Sequence, residues 1–177
     1  MLFFNVPWLP ERLIARDRGK SLLKMFRGGA ARPEVFTAEV LDALRISHVE
    51  LPGYEAADVI ATLTPQAVED GTEVVICTGD RDAFQLVTQT VTLLYPVRGV
   101  SEVWRMDPAA VEAKYLVPPQ SYSDLAALVG ESSDNLPGVP GVGPKTAAKW
   151  INQYGDLAGI VAHVDAIGGK VGESLRD

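Results

Sequence analysis

"EVVICTGDRDAFQLV", residues 73–87, opens on an unbroken apolar run and then turns to Thr, Gly and two aspartates. A continuous apolar run of this length, closed by a glycine, reads as a strand buried on both faces, the type that parallel sheets contain. Asp80 and Asp82 then fall at the carboxyl end of that strand, where open α/β sheets place their ligands. "DAFQLV" reads as a short helix. Cys77, the single cysteine, sits inside the apolar run and is expected to be a small buried hydrophobe, not a nucleophile. With no disulfide to form, the chain fits a reducing, cytoplasmic interior.

Outward from this stretch, helix and strand alternate. In "PEVFTAEVLDALRI" (33–46), Phe36, Val40 and Leu44 recur every four residues behind a proline suited to a first helical turn. "SHVEL" (47–51) reads as a short strand. "YEAADVIATLTPQAVEDG" (54–71) is helical by its Ala56, Val59, Ile60 and Leu63 face, with Pro65 expected to kink or split it. "TVTLLYP" (90–96) and "VSEVWRM" (100–106) read as strands. The alternation predicts an α/β fold, a mostly parallel sheet flanked by helices. After residue 106 the strands stop. "DPAAVEAKYLV", "PQSYSDLAALVG", "GPKTAAKWINQYG" and "DLAGIVAHVDAI" are four short helical patterns parted by Pro and Gly, a small helical subdomain.

The chain has 177 residues, 47% of them hydrophobic, enough to bury a core. Its net charge of −7 argues against nonspecific attraction to nucleic acid or anionic membrane. That total hides an asymmetry. Residues 1–32 carry seven basic side chains against only Glu11 and Asp17, a basic arm on an acidic body. No basic leader with a small-residue cleavage pattern opens the chain, and nowhere do eighteen apolar residues run together, so no membrane association is expected. Three regions are expected: the arm at 1–32, an α/β core at 33–106, and the helical part at 107–177.

Besides Asp80 and Asp82, two further acidic pairs stand out. Glu55 and Asp58 open a helical pattern three residues apart; Glu131 and Asp134, in "GESSD", are again three apart in the helical part. Each pair alone is explained by helix capping and the macrodipole. Three pairs in one small protein suggest convergence. Two carboxylates ~4 Å apart repel by roughly 4 kcal/mol at an effective dielectric of ~20, so a convergent group needs cations. Oxygen donors without His or Cys favour Mg²⁺ or Mn²⁺ over zinc. His48 and His163 stand apart from the clusters and read as ordinary structural or surface residues.

"LPGVPGVGPKTAAKW" (136–150) concentrates turn chemistry ahead of a helix. Gly138, Gly141 and Gly143 allow positive φ and close backbone approach to a ligand. Pro144 suits the first helical turn, leaving N–H groups pointed toward an anion, with Lys145, Thr146 and Lys149 adding donors or charge. Three readings apply. Gly138 and Gly143 have the spacing of a nucleotide-binding loop, but Pro144 intervenes before Lys145 and no strand precedes. A helix-hairpin-helix gripping a DNA phosphate through backbone N–H groups fits the order of elements. A tight helix–helix connection with no ligand also fits.

"LPGYEAADVIATL", "VICTGDRDAFQLV" and "LVGESSDNLPGVPGVGPKTAAKWI" together resemble, in order and spacing, the 5' nuclease domain of bacterial DNA polymerase I and its flap endonuclease relatives. The resemblance covers roughly residues 33–177. It implies a PIN-like α/β nuclease core with a helix-hairpin-helix subdomain, two divalent metals, and 5'-3' exonuclease or flap endonuclease action on branched or 5'-flap duplex DNA in replication and repair. By resemblance Glu55, Asp58, Asp80, Asp82, Glu131 and Asp134 stand at metal-ligand positions, with Asp58, Asp80 and Asp82 catalytic. Gly138, Gly141, Gly143, Lys145, Thr146 and Lys149 stand where the family grips a duplex phosphate beside a potassium ion. A polymerase domain is an expected partner.

The sequence also departs from the family pattern. Glu-Ala-Ala-Asp replaces Glu-Ala-Asp-Asp, so Ala57 takes the place of a carboxylate. The family's first strand, ending in Asp-Gly, has no counterpart. "LFFNVPWLPER" faintly resembles the next strand, with Asn5 in place of an acid and Arg12 kept; "LKMFR" resembles the basic arch, making Lys24 and Arg27 further candidates. A lost central strand would leave unpaired edges unless another segment covers them. The chain thus reads as a truncated or diverged copy, an impaired nuclease or a noncatalytic, structure-specific DNA-binding remnant. A PIN-type ribonuclease shares the carboxylates but not the hairpin helices.

Overall fold

The computed structural model describes residues 2–5, 13–15, 43, 45, 48–49, 51–98 and 102–176. The chain divides into two compact units, Met1–Asp107 and Pro108–Asp177. The expected helix over 33–46 lies outside the described residues except for Ala43 and Arg45, as do Arg12, Lys24 and Arg27.

In the first unit a six-stranded sheet is built from β1 (Leu2–Asn5), β2 (Leu13–Ala15), β3 (His48–Val49), β4 (Val74–Cys77), β5 (Val91–Arg98) and β6 (Glu102–Met106), in the order β3-β2-β1-β4-β5-β6. β2–β3 and β4–β5 pair in parallel; β1 runs antiparallel to both β2 and β4, and β6 antiparallel to β5. The α/β class is as expected. The sheet itself is mixed and not mostly parallel, because β1 enters it reversed. Phe3, Phe4 and Asn5 register against Cys77, Ile76 and Val75, so the edge of β4 opposite β5 is covered by the start of the chain. The backbone groups of β4 are therefore paired on both sides, as a buried strand requires.

β4 buries Val74 and Ile76 fully and leaves Val75 and Cys77 half-buried. The run is continuous in sequence but two-faced in space. Helix α1 (Ala56–Glu69) covers the better-buried face with Ala56, Val59, Ile60 and Ala67. α1 passes through Pro65 without splitting. The missing N–H strips a partner from the carbonyl of Ala61 four residues earlier, and Ala61 is exposed, so water can supply one. A 3₁₀ helix, Arg81–Leu86, stands where the short helix was expected and seats Phe84 in the core.

The second unit is helical: α2 (Pro108–Tyr115), α3 (Tyr122–Val129), α4 (Pro144–Tyr154), α5 (Leu157–Ala162) and α6 (Gly169–Arg176). Its core includes Val111, Leu125, Leu128, Ala147, Ile151 and Ile160. Tyr115 meets Tyr122 edge-on at 5.0 Å, the geometry that aromatic quadrupoles prefer. Leu116, at φ 64, ends α2, and its carbonyl accepts from the Asn152 amide of α4 at 2.8 Å. α6 is the helix that the pattern of apolar residues did not signal. Gly168, Gly169 and Gly172 depress helix propensity there, yet Gly172 is buried where a Cβ would collide with the Ile167 carbonyl oxygen.

Candidate functional site

The first unit places Asp80 and Asp82 by two successive side-chain turns. The backbone N–H of Thr78 donates to Leu94 of β5 at 3.2 Å, anchoring the strand end. The buried Thr78 hydroxyl then accepts the N–H of Asp80 at 3.0 Å. The Asp80 carboxylate in turn accepts the N–H of Asp82 at 3.0 Å, capping the 3₁₀ helix. These local bonds are what Thr and Asp offer better than other residues, and they hold both carboxylates at the end of β4.

Beside them opens a pocket of about 40 Å³. Its walls include Ala57, Ile60 and Ala61 of α1 on one side, and Asp80, Asp82 and Gln85 on the other. A space of that size accepts a water or a small ion. Ala57 therefore lines the same pocket as the two aspartates.

Glu55 and Asp58 are arranged differently. Glu55 is extended (φ −86, ψ 162) and is the N-cap of α1, not its first turn. Asp58 accepts the Glu55 N–H at 2.9 Å, and the Glu55 carboxylate accepts from the backbone at Asp58. This reciprocal capping box satisfies helix-end donors. Both residues are exposed, and Asp58 shares the first turn with the pocket residue Ala57.

In the second unit, Glu131 and Asp134 do not share a helical face. α3 stops at Val129, and Gly130 turns the chain at φ 85. Glu131 exchanges both backbone bonds with Leu136 at 2.9 Å, closing a loop. A short 3₁₀ turn, Ser132–Asp134, lies inside the loop and ends at Asn135 in the left-handed region. The loop falls between the helical patterns that the sequence closes at Gly130 and reopens at Gly143.

The glycine turn follows. Gly138 (φ 66) and Gly141 (φ 81) use positive φ, whereas Gly143 (φ −102) does not and is simply the N-cap of α4. Pro144 occupies the first helical position. Lys145 and Lys149 are exposed one turn apart on α4, opposite the buried Ala147, Ala148 and Ile151. Thr146 is half-buried, its N–H bonded to Gly143. The turn is preceded by α3 and the closed loop, not by a strand, which removes the nucleotide-loop reading. Gly138 has a packing duty of its own against Gly130.

Among the described residues, no three His, Cys, Asp or Glu side chains come close enough together to form a metal-holding group. The structure thus gathers Asp80 with Asp82, and Glu55 with Asp58, as two local pairs in the first unit. Cys77 precedes this site; burial pushes its thiol pKa up, the opposite of what a reactive cysteine needs. His163 is exposed and stacks on Tyr154 at 5.1 Å, with its Nδ1 2.8 Å from the Gly159 carbonyl. Among the described residues no helix is long and apolar enough to cross a membrane.

Residues 34–116 match the family model described as the 5'-3' exonuclease N-terminal resolvase-like domain, and residues 117–177 match the 5'-3' exonuclease C-terminal SAM fold. A DNA polymerase I of Mycobacterium bovis is 58% identical over 140 residues, covering 79% of this chain and 16% of the polymerase. A 5'-3' exonuclease of Streptomyces coelicolor is 53% identical over 136 residues, covering 75% of this chain and 44% of that protein. The chain therefore spans less than half the length of either relative. A lysine-to-alanine mutant of the bacteriophage T5 5'-exonuclease superposes with TM-score 0.69 at 19% identity, over 92% of this chain and 65% of that one. A second structure of the phage flap endonuclease, a pseudo-enzyme–product complex with DNA and metal ions, gives TM-score 0.63 at 19% identity, over 82% and 57%. These two show likeness of fold. Between them the two family models take up residues 34–177 without a gap, and the chain belongs to the 5'-3' exonuclease family.

Proposed function

We propose that the chain is a divalent-metal-dependent 5'-3' exodeoxyribonuclease and flap endonuclease acting on branched or 5'-flap duplex DNA. The observation that carries this reading is the pair Asp80 and Asp82 on one small pocket at the carboxyl end of β4. Two carboxylates on an ion-sized pocket are a donor set suited to Mg²⁺ or Mn²⁺, which keep several waters and take further oxygens from substrate phosphate. When bound, such ions polarise the scissile phosphate and lower the pKa of a bound water.

The protein's own residues have separable tasks. Asp80 and Asp82 hold the cation, their orientation set by the bonds from Thr78 and within the Asp80–Asp82 turn. Glu55 and Asp58 are proposed as additional ligands in the first unit, direct or through water; Glu131 and Asp134 are proposed as metal ligands in the second. The start of α4 with Lys145, Thr146 and Lys149 receives a duplex phosphate, with K⁺ at the turn around Gly138–Gly143. Ala57 leaves the pocket one carboxylate short of the family pattern, so the cation is held by fewer protein oxygens and activity needs higher metal concentration. In the polymerase relatives this segment is a sixth of the chain, and a polymerase domain working alongside it belongs to the same proposal. A noncatalytic DNA-binding role draws no support from the relatives.

A 5'-labelled flap duplex incubated with Mn²⁺ tests the proposal. Products cut near the flap junction, absent with Asp80→Ala, are expected. Equal product from wild type and Asp80→Ala would remove it.

A further inference from the structure

An aromatic series runs from the interior of the first unit to its surface, starting at Phe84 of the 3₁₀ helix that Asp80 caps. Phe84, fully buried, stacks obliquely on Tyr95 with ring centres 5.4 Å apart; Tyr95 lies directly across β5–β6 from Trp104, ring centres 6.4 Å apart. Trp104 is 38% exposed, and Val97 and Val103 of the same hairpin are exposed as well. Arg81 closes the series from the other side, its Nε donating to the Tyr95 hydroxyl at 3.4 Å. Arg81 stands between the two pocket aspartates in sequence, so one rigid turn carries the carboxylates and the cation beside the rings.

We propose that Trp104, backed by Tyr95 and accompanied by Arg81, forms a stacking surface for unpaired bases of a single-stranded DNA segment continuous with the strand at the Asp80–Asp82 pocket. Aromatic faces accept any unpaired base, and a guanidinium beside them meets the phosphate between bases. Bases inside a duplex have both faces occupied by their neighbours, so the surface discriminates single-stranded extensions from blunt ends without reading sequence. Phe84 and the strand pairing fix the rings in advance, so little ordering opposes binding. The inference rests on the nuclease reading above and adds to it the part of the substrate that this side of the pocket takes.

Fluorescence anisotropy with Ca²⁺ as the cation, comparing a duplex bearing a 5' single-stranded overhang with the blunt duplex, tests it. Trp104→Leu is expected to weaken overhang binding roughly tenfold while leaving blunt-duplex binding unchanged, and Trp104→Phe is expected to retain most of the affinity. Since Trp104→Leu also alters the hairpin, a second measurement uses the unaltered protein: 2-aminopurine in the overhang should lose emission on binding as it stacks. Unchanged emission, or equal loss of overhang and blunt affinity in Trp104→Leu with Trp104→Phe no better, overturns the inference. Should wild type bind neither duplex, the nuclease reading fails; binding both equally sinks the stacking surface alone.

Discussion

Gly130 and Gly138 stand back to back across the neck of the loop that carries Glu131 and Asp134. A Cβ on Gly130 would come within 2.7 Å of the Pro137 carbonyl oxygen, and one on Gly138 would collide with the backbone of Val129 and Gly130. Both residues have positive φ. The closed loop exists because two glycines let the chain cross itself at contact distance.

The three glycines of the turn should therefore differ in their response to alanine. Gly138→Ala meets backbone that cannot yield and adds the left-handed penalty of about 1–2 kcal/mol, so a loss above about 2 kcal/mol is expected. Gly141→Ala, with only the Val171 side chain at 3.4 Å, should lose about the left-handed term alone. Gly143→Ala has open space and negative φ, and should cost under about 1 kcal/mol as a poorer N-cap. Urea denaturation of the three variants checks the order.

Asp58 has a structural duty that does not depend on metal. Asp58→Ala removes the acceptor for the Glu55 N–H and should cost about 1 kcal/mol of stability, read by thermal melting in EDTA. An unchanged melting temperature would mean that the capping box is not formed.

β1 is predicted to be an integral part of the sheet. Its residues register with β2 on one side and β4 on the other, so Phe3→Pro removes a ladder hydrogen bond to β4 from a strand with two neighbours and should destabilise the sheet. Circular dichroism and hydrogen exchange at Val75 and Cys77, whose N–H groups face β1, should both report the loss. Intact protection at these two amides would show that β4 does not depend on this pairing.

Cys77 gives a pH dependence of known sign. Burial raises its pKa in the folded state, so above the ionisation range of an exposed thiol, near 9.0, the unfolded chain has released a proton that the folded chain keeps. Stability from this group is complete below that range and is lost as pH rises from there through the raised pKa of the folded thiol. Cys77→Ala should flatten the alkaline fall in melting temperature between about pH 8 and 10, and native Cys77 should alkylate more slowly than the thiol of the unfolded chain.

What could be read from the sequence and what could not divide along physical lines. β4 and the turn at Asp80 were legible because an unbroken apolar run closed by Thr-Gly-Asp leaves little freedom to the chain. The start of α4 was legible from Pro144. The direction of β1 was not, since alternation of side chains is the same whichever way a strand runs. The helix ends on either side of Glu131 were legible from Gly130 and Pro144, but the closed form of the loop between them was not, because only the Gly130–Gly138 crossing sets it. α6 stayed hidden because its glycines serve close packing, which propensity does not foresee. The capping role of Glu55 and Asp58 was among the readings their spacing allowed, and the hydrogen bonds now establish it beside the metal role proposed for them.

The most direct test of the central claim, that Asp80 and Asp82 hold a divalent cation at the pocket facing Ala57, is the Mn²⁺ binding isotherm followed by the electron paramagnetic resonance of free Mn²⁺. Wild type should bind at least one ion that the Asp80→Asn, Asp82→Asn double variant does not, and Ala57→Asp should tighten it by tenfold or more, about 1.4 kcal/mol. Superimposable isotherms for wild type and the double variant would contradict the account.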